Sequence, residues 1–195
     1  MAMYTQSITR IRGSAKLLAN YVNLTFRAIT RTSLLRFALL GMLGAKALPV
    51  WADPIQDRLA ITDVLAQYAY RWDGKDAAGF VEIFTADAVM ERWRNGELIA
   101  DSVLEGHPEI LAYAEQSHRG RLADRQTRHN FSNLIFLELG ESAALTENMA
   151  LITHQTAGNP PVASSSGIYR ISWLKTGEGW KIQRRILYSD SGPAR

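Results

Sequence analysis

Helical and strand periodicities are segregated along this chain, and that segregation constrains its fold more than any other feature. After Asp53-Pro54, apolar residues recur at helical spacing: Ile61, Val64, Leu65, Tyr68 and Trp72. Asp53 suits the N-cap, Pro54 the first helical position, and Gln56 completes a capping-box pattern. Gly74 ends this segment. Residues 77–84 predict a second, short helix with Phe80, Ile83 and Phe84 on its apolar side. Gly106-His107-Pro108 opens a third helix that runs to His118, with Ile110, Leu111 and Ala114 periodic. The rest alternates with period two. Residues 89–94 and 97–104 flank Asn95-Gly96, a strong type I′ hairpin signal. Residues 127–139 and 143–157 flank a turn at Gly140-Glu141-Ser142. Residues 158–166, rich in Pro, Ser and Gly, read as a loop. Residues 167–175 and 180–190 flank Thr176-Gly177-Glu178-Gly179. Helices bunched early and a long meander late predict an α+β fold, three helices packed on one curved antiparallel sheet.

Charge is segregated too. Residues 1–52 hold seven basic residues and no Asp or Glu, which leaves 15 basic against 19 acidic in residues 53–195. The net charge of +3 therefore belongs to a leader, and the part that folds carries −4. It offers no electrostatic reason to expect a nucleic-acid partner. The leader's basic residues precede an apolar stretch at residues 37–45, then Pro49 and Val50-Trp51-Ala52. This resembles a bacterial signal peptide cleaved after Ala52, which would send the protein to the periplasm or outside the cell. An Arg-rich, acid-free organellar transit peptide is the rival reading, and a cytoplasmic protein with a misplaced start is the third. The uncharged stretch is too short to span a bilayer. The chain has no cysteine, which excludes disulfides, thiolate zinc sites and Cys nucleophiles. The expected organisation is thus a leader over 1–52, one domain over 53–190 and a tail over 191–195.

Three residues carry the candidate chemistry. Asp73 ends the first helix, His129 sits in Thr127-Arg128-His129-Asn130-Phe131, and His154 sits in Ile152-Thr153-His154-Gln155. If Glu141-Ser142 is a two-residue turn, Gly140 pairs with Ala143. An uninterrupted ladder then sets His129 directly opposite His154, on one face of the sheet. Phe131, Asn133, Ile135 and Leu137 would share that face with Asn148, Ala150 and Ile152. Such a face is apolar with a few polar groups, the usual lining of a small-molecule pocket. Tyr68, Trp72, Trp93 and Phe131 are candidates to line it, though aromatics at these spacings also serve as plain core. His107 and His118 read as structural or exposed, and the basic run Arg119 to Arg128 as a solvated loop.

The stretches Asp57 to Tyr68, Trp72-Asp73-Gly74-Lys75-Asp76 and Phe84-Thr85-Ala86-Asp87-Ala88 resemble the opening of SnoaL-like proteins of the NTF2-like superfamily. Gly167-Ile168-Tyr169-Arg170 and Gly179-Trp180-Lys181-Ile182 are similar to that family's last strands. The resemblance covers residues 53–190 and implies a cone-shaped barrel with a deep pocket between sheet and helices. Within the superfamily, scytalone dehydratase and hexachlorocyclohexane dehydrochlorinase place an Asp at the end of the first helix and a His in Thr-x-His. Asp73 and His129 match that dyad by position, and His154 matches a second histidine of the dehydratase. Where the dehydratase has tyrosines before the Asp and on the first strand, this chain has Trp72 and Trp93. Its asparagine on the penultimate strand corresponds to Arg170, and the resemblance makes Arg170 and its neighbour Tyr169 further candidates for the substrate pocket. The resemblance implies a homodimer or homotrimer and no cofactor.

The residue types suit proton abstraction. Histidine exchanges protons near neutral pH, and a carboxylate on one ring nitrogen orients the other as a base. The expectation is a cofactor-independent lyase or isomerase acting on a small apolar cyclic substrate, with Asp73 orienting His129 and His154 assisting. Two histidines and a carboxylate can also hold non-haem iron, but no His-x-Asp/Glu spacing supports a metal here. The other readings are a non-catalytic ligand-binding or assembly module and a dioxygenase small subunit. A binding module would have its Asp73 carboxylate turned away from His129, or its pocket filled by Trp72, Trp93 and Phe131.

Overall fold

The structure, a computed structural model, describes residues 53–190; the leader and the tail lie outside the described residues. Helix α1 (Pro54–Asp73) starts where the Asp53 carboxylate accepts the Ile55 N–H at 2.9 Å. It buries Ile61, Leu65, Tyr68 and Trp72, four of the five side chains the periodicity selects, with Val64 partly buried beside them. Each such burial is worth about 1.5–3 kcal/mol. The chain turns at Gly74, whose N–H donates to the Tyr70 carbonyl, and Lys75 takes φ 59°. Asp76 then caps α2 (Ala77–Glu82) by accepting from the Gly79 N–H.

Strand β1 (Phe84–Arg94) begins at Phe84, so the second helix is shorter than expected. Asn95 and Gly96 have φ of 54° and 80°, the positive values a type I′ turn demands. The return strand is short: β2 is only Glu97–Leu98, and β3 (Leu104–Glu105) pairs separately with Val89 and Met90. Helix α3 (Gly106–Arg119) follows, with Ile110 and Ala114 buried. The meander is β4 (Arg125–Leu139), β5 (Ala143–Thr156), β6 (Val162–Thr176) and β7 (Gly179–Ser189). β6 starts five residues before the expected Gly167, because residues 162–166 find ladder partners on β5.

The strand order is β2-β1-β7-β6-β5-β4, with β3 beside β1. β1 runs parallel to β7, so the sheet is mixed rather than wholly antiparallel. It is curved and unclosed, with the helices packed against it. The core sits between, around Ile61, Phe80, Phe84, Ile110, Trp173 and Ile182. Asp57 ties α1 to the sheet: its Oδ1 accepts from Lys175 Nζ at 2.6 Å and from Trp180 Nε1 at 2.8 Å. Among the described residues, no helix is long and apolar enough to cross a membrane.

The hairpin between β4 and β5 departs from an uninterrupted ladder. At the turn the pairing is as expected: the Gly140 N–H donates to the Ala143 carbonyl, and Leu139 faces Ala144. Two bulges follow, between Phe136 and Glu138 and between Ser132 and Ile135. Each leaves one extra residue on β4, and Asn133 within the second has φ 54°. His129 therefore lies opposite Ile152, and His154 opposite Thr127. Two single shifts restore parity, so both histidines still share the inner face. Between the bulges parity is inverted. Leu134 and Phe136 pack on the core, while Ile135 and Leu137, expected inside, are about half exposed. Asn133 is exposed too.

Candidate active site

The last turn of α1 delivers Asp73 to the first residues of β4. Asp73 Oδ2 accepts the His129 backbone N–H at 2.8 Å. Oδ1 accepts the buried Thr127 hydroxyl at 2.6 Å and lies 2.7 Å from His129 Nδ1. Gln126 Nε2 donates to the Asp73 main-chain carbonyl at 2.7 Å. Both side chains of the dyad are buried, 8% exposed for Asp73 and 7% for His129. Burial alone would raise the Asp73 pKa, but the hydrogen bonds and charge of His129 and the Thr127 hydroxyl outweigh it and hold it below the usual carboxylate value. An ionised carboxylate only accepts, so Nδ1 carries a proton, and in the neutral form of the ring it is Nε2 that has the lone pair. With Nδ1 committed to Asp73, Nε2 is the ring nitrogen left for the cavity that His129 lines.

That cavity has a volume of about 320 Å³. Tyr68 and Trp72 from α1, Tyr113 from α3 and Tyr169 from β6 contribute aromatic walls. The rings of Tyr68, Trp72 and Phe131 stand edge-on to the His129 ring at 6.0, 6.3 and 5.9 Å. Phe131 does not reach the lining; it packs behind it, against Tyr68 and Tyr169. His154 does line the cavity. Burial lowers its pKa, and the charges of Arg125 and Arg121 lower it further, so its ring is neutral at pH 7. Tyr68 and Tyr169 are raised, chiefly by burial, and remain protonated donors. A second depression of about 540 Å³ lies against the dyad, edged by the outward-facing Arg128 and Asn130 and the exposed Tyr70.

Two expected pocket residues point elsewhere. Trp93 shares the outer face of β1 with Glu91, to which its Nε1 donates at 2.8 Å, and it packs on Tyr188. Arg170 also faces outward, its Nε 2.7 Å from Glu147 and its guanidinium over the Tyr188 ring. Strand alternation is the reason: the inward neighbours of these two are Arg92, Arg94 and Tyr169, which do line the cavity. His118 is buried against Trp72, with ring centroids 4.9 Å apart, rather than exposed. His107 is structural, its Nε2 3.1 Å from the Phe84 carbonyl.

The lining is also less apolar than expected. Arg92, Arg94, Arg121 and Arg185 contribute to it, and no Asp or Glu does. The alternation of Met90, Arg92 and Arg94 along β1 was a legible signal for two of them. Arg121, read as part of a solvated loop, hydrogen-bonds Tyr113 and Ser117 at the end of α3. Nothing in the local pattern marks Arg185.

Known proteins bear on this geometry in two ways. Solved structures share the fold. A Novosphingobium aromaticivorans NTF2-like protein with a cystatin-like fold aligns with a TM-score of 0.63 at 20% identity, covering 78% of this chain and 94% of that one. A candidate scytalone dehydratase from the same organism aligns at 0.60 and 19% identity, covering 72% and 91%. The beta subunit of a candidate aromatic-ring-hydroxylating dioxygenase, also from that organism, aligns at 0.61 and 14% identity, covering 72% and 93%. Likeness at this level carries the fold and no more. No curated protein matches the sequence. The SnoaL-like domain family, however, matches residues 53–186, nearly all of the described residues. The helix-borne carboxylate, the curved sheet and the cavity between them thus sit in a chain that belongs to the SnoaL-like domain family, on the NTF2-like fold.

Proposed function

We propose that this protein is a cofactor-independent lyase or isomerase that abstracts a proton from carbon. The observation that carries this reading is the 2.7 Å contact between Asp73 Oδ1 and His129 Nδ1 at the wall of an open cavity. A binding module would show the carboxylate turned away or the pocket filled; neither is found here. His129 Nε2 takes the proton, and the C–H electron pair becomes a new double bond as the leaving group departs with its own pair or, in an isomerisation, as the existing double bond's pair moves to the next carbon. The imidazolium then passes its proton on: to departing hydroxide in a dehydration, to solvent when halide leaves, or to another carbon in a double-bond shift. Asp73 is a positioning residue that also stabilises the imidazolium. His154, neutral and on the same face, supports the reading as a hydrogen-bond donor to an oxygen that gains charge.

The test is turnover of carbonyl compounds bearing a hydroxyl or chlorine β to the carbonyl, run in D2O and followed by NMR. Wild-type protein is expected to release water or chloride, or to place deuterium at the α-carbon. His129→Ala is expected to slow this by about 10²–10⁴-fold while its melting temperature stays near that of the wild type. Wild-type rates in His129→Ala would defeat the assignment.

A further inference from the structure

Arg185 is a buried charge for which the proposed reaction has no use. It stands on the inner face of β7, 5% exposed, with its guanidinium carbon 5.3 Å from the centre of the Tyr169 ring. Nη1 donates to the Glu91 main-chain carbonyl at 2.9 Å, and Nε is buried with no partner. The Tyr68 hydroxyl lies close enough to interact. Among the described residues, no carboxylate pairs with it. Its neighbour Arg184, on the outer face, shows the ordinary arrangement: Nε and Nη2 both donate to Glu91 Oε1, at 2.9 and 2.6 Å.

A guanidinium stays protonated in proteins, and a buried charge without a counter-charge is costly. The cavity lining supplies no anion, since it holds no Asp or Glu. It adds Arg92, Arg94 and Arg121 instead, all exposed and, among the described residues, none in an ion pair. Positive charge concentrated in a cleft draws anions towards it. The volume of about 320 Å³ is at the small end for ligand sites. Nη1 is occupied, which leaves the Nε–Nη2 edge, the pair of parallel N–H donors that matches a planar carboxylate. Tyr68 and Tyr169, both protonated, stand beside the guanidinium.

We propose that the cavity binds a small carboxylate, with Arg185 as its buried counter-ion and Arg92, Arg94 and Arg121 drawing it in. This names the substrate class of the proposed reaction and rests on that reading for its catalytic meaning. It replaces the apolar molecule expected from the sequence. Tyr68 bridges the two ends of the site: its ring is 6.0 Å from His129 and its hydroxyl faces Arg185. A carboxylate on Arg185 therefore occupies the same cavity that His129 lines.

The test compares benzoate with benzamide, which share ring and size but not charge, by calorimetric titration of the full chain. Benzoate is expected to bind at least about tenfold more tightly, and to weaken as salt is added. Arg185→Met should reduce benzoate to the benzamide level, while Arg170→Met, on the outer face, should leave it unchanged. Should Arg185→Met fail to fold, the wild-type ratio of the two ligands still decides. Equal binding of benzoate and benzamide, or full benzoate binding in a folded Arg185→Met, overturns the proposal. So does displacement of benzoate by inorganic phosphate at lower concentration, which would mark a phosphate site. The readout is binding, so a protein that holds benzoate through Arg185 yet turns nothing over refutes the reaction and keeps the carboxylate site.

Discussion

Three donors converge on the two oxygens of Asp73, and that competition defines what His129 can do. Thr127 and the His129 main chain hold the carboxylate still, so the imidazole meets a fixed acceptor. Asp73→Asn keeps the shape but adds a donor where His129 needs an acceptor. We expect it to lower kcat by about 10²–10⁴-fold and to alter the acid limb of the pH–rate profile, which loss of packing alone would not do. The same carboxylate makes stability depend on pH. Its folded pKa is depressed, so its contribution is fully present above the unfolded value of about 3.9 and is lost as pH falls through the lower folded value. Urea unfolding from pH 3 to 7 checks this. The wild-type advantage over Asp73→Asn should be constant above about pH 5 and shrink below about pH 4; an advantage that persists unchanged at pH 3 would contradict it.

At the scale of elements, bulges decide which side chains meet. Two on β4 move His129 from opposite His154 to opposite Ile152, yet leave both on the inner face. A third irregularity, at Ser172–Trp173 against β7, has an equal effect. Trp180 and Ile182 face inward, so strict alternation would put Arg184 and Ile186 inside. The extra residue, Gln183, hands that place to Arg185 and Leu187. Period-two alternation was legible in the sequence and correctly gave strands, the Asn95-Gly96 turn and the inward face of β5. The bulges were not, because an extra residue has no composition of its own; Asn133 at φ 54° is the one local hint. Asn tolerates that conformation and a β-branched residue does not. Asn133→Val should therefore cost about 1–2 kcal/mol in denaturant unfolding, and Asn133→Gly close to nothing. Asp57 acts between elements. Its pKa is lowered, first by the Lys175 hydrogen bond and against burial, and Trp180 depends on it for a buried acceptor. Asp57→Ala should lose about 2–3 kcal/mol, seen as a lower urea midpoint with the m-value unchanged.

For the whole molecule, charge separation is the organising fact. Residues 53–195 carry −4, yet four arginines surround a cavity lined by no acid. Net charge alone said only that nucleic acid was an unpromising partner; the placement of charge inside the fold says what small molecule to look for. The Asp73–His129 pair was legible because a helix end and a Thr-x-His strand are local patterns tied to a known family. The arginines were not, because their convergence belongs to the curved sheet and to no single segment. Since the helices and sheet bury one core within residues 53–190, that segment is expected to unfold in a single cooperative transition when expressed without the first 52 residues; a broad, non-cooperative melt by circular dichroism would show that it needs them. The central claim is that Asp73 holds His129 with Nε2 as the base. The ring-nitrogen chemical shifts of His129, from 15N-labelled protein at pH 8, test it without any substrate. The account predicts a protonated Nδ1 and an unprotonated Nε2, with that preference lost in Asp73→Asn. A proton on Nε2 in the wild-type protein, or a tautomer indifferent to Asp73, would contradict it.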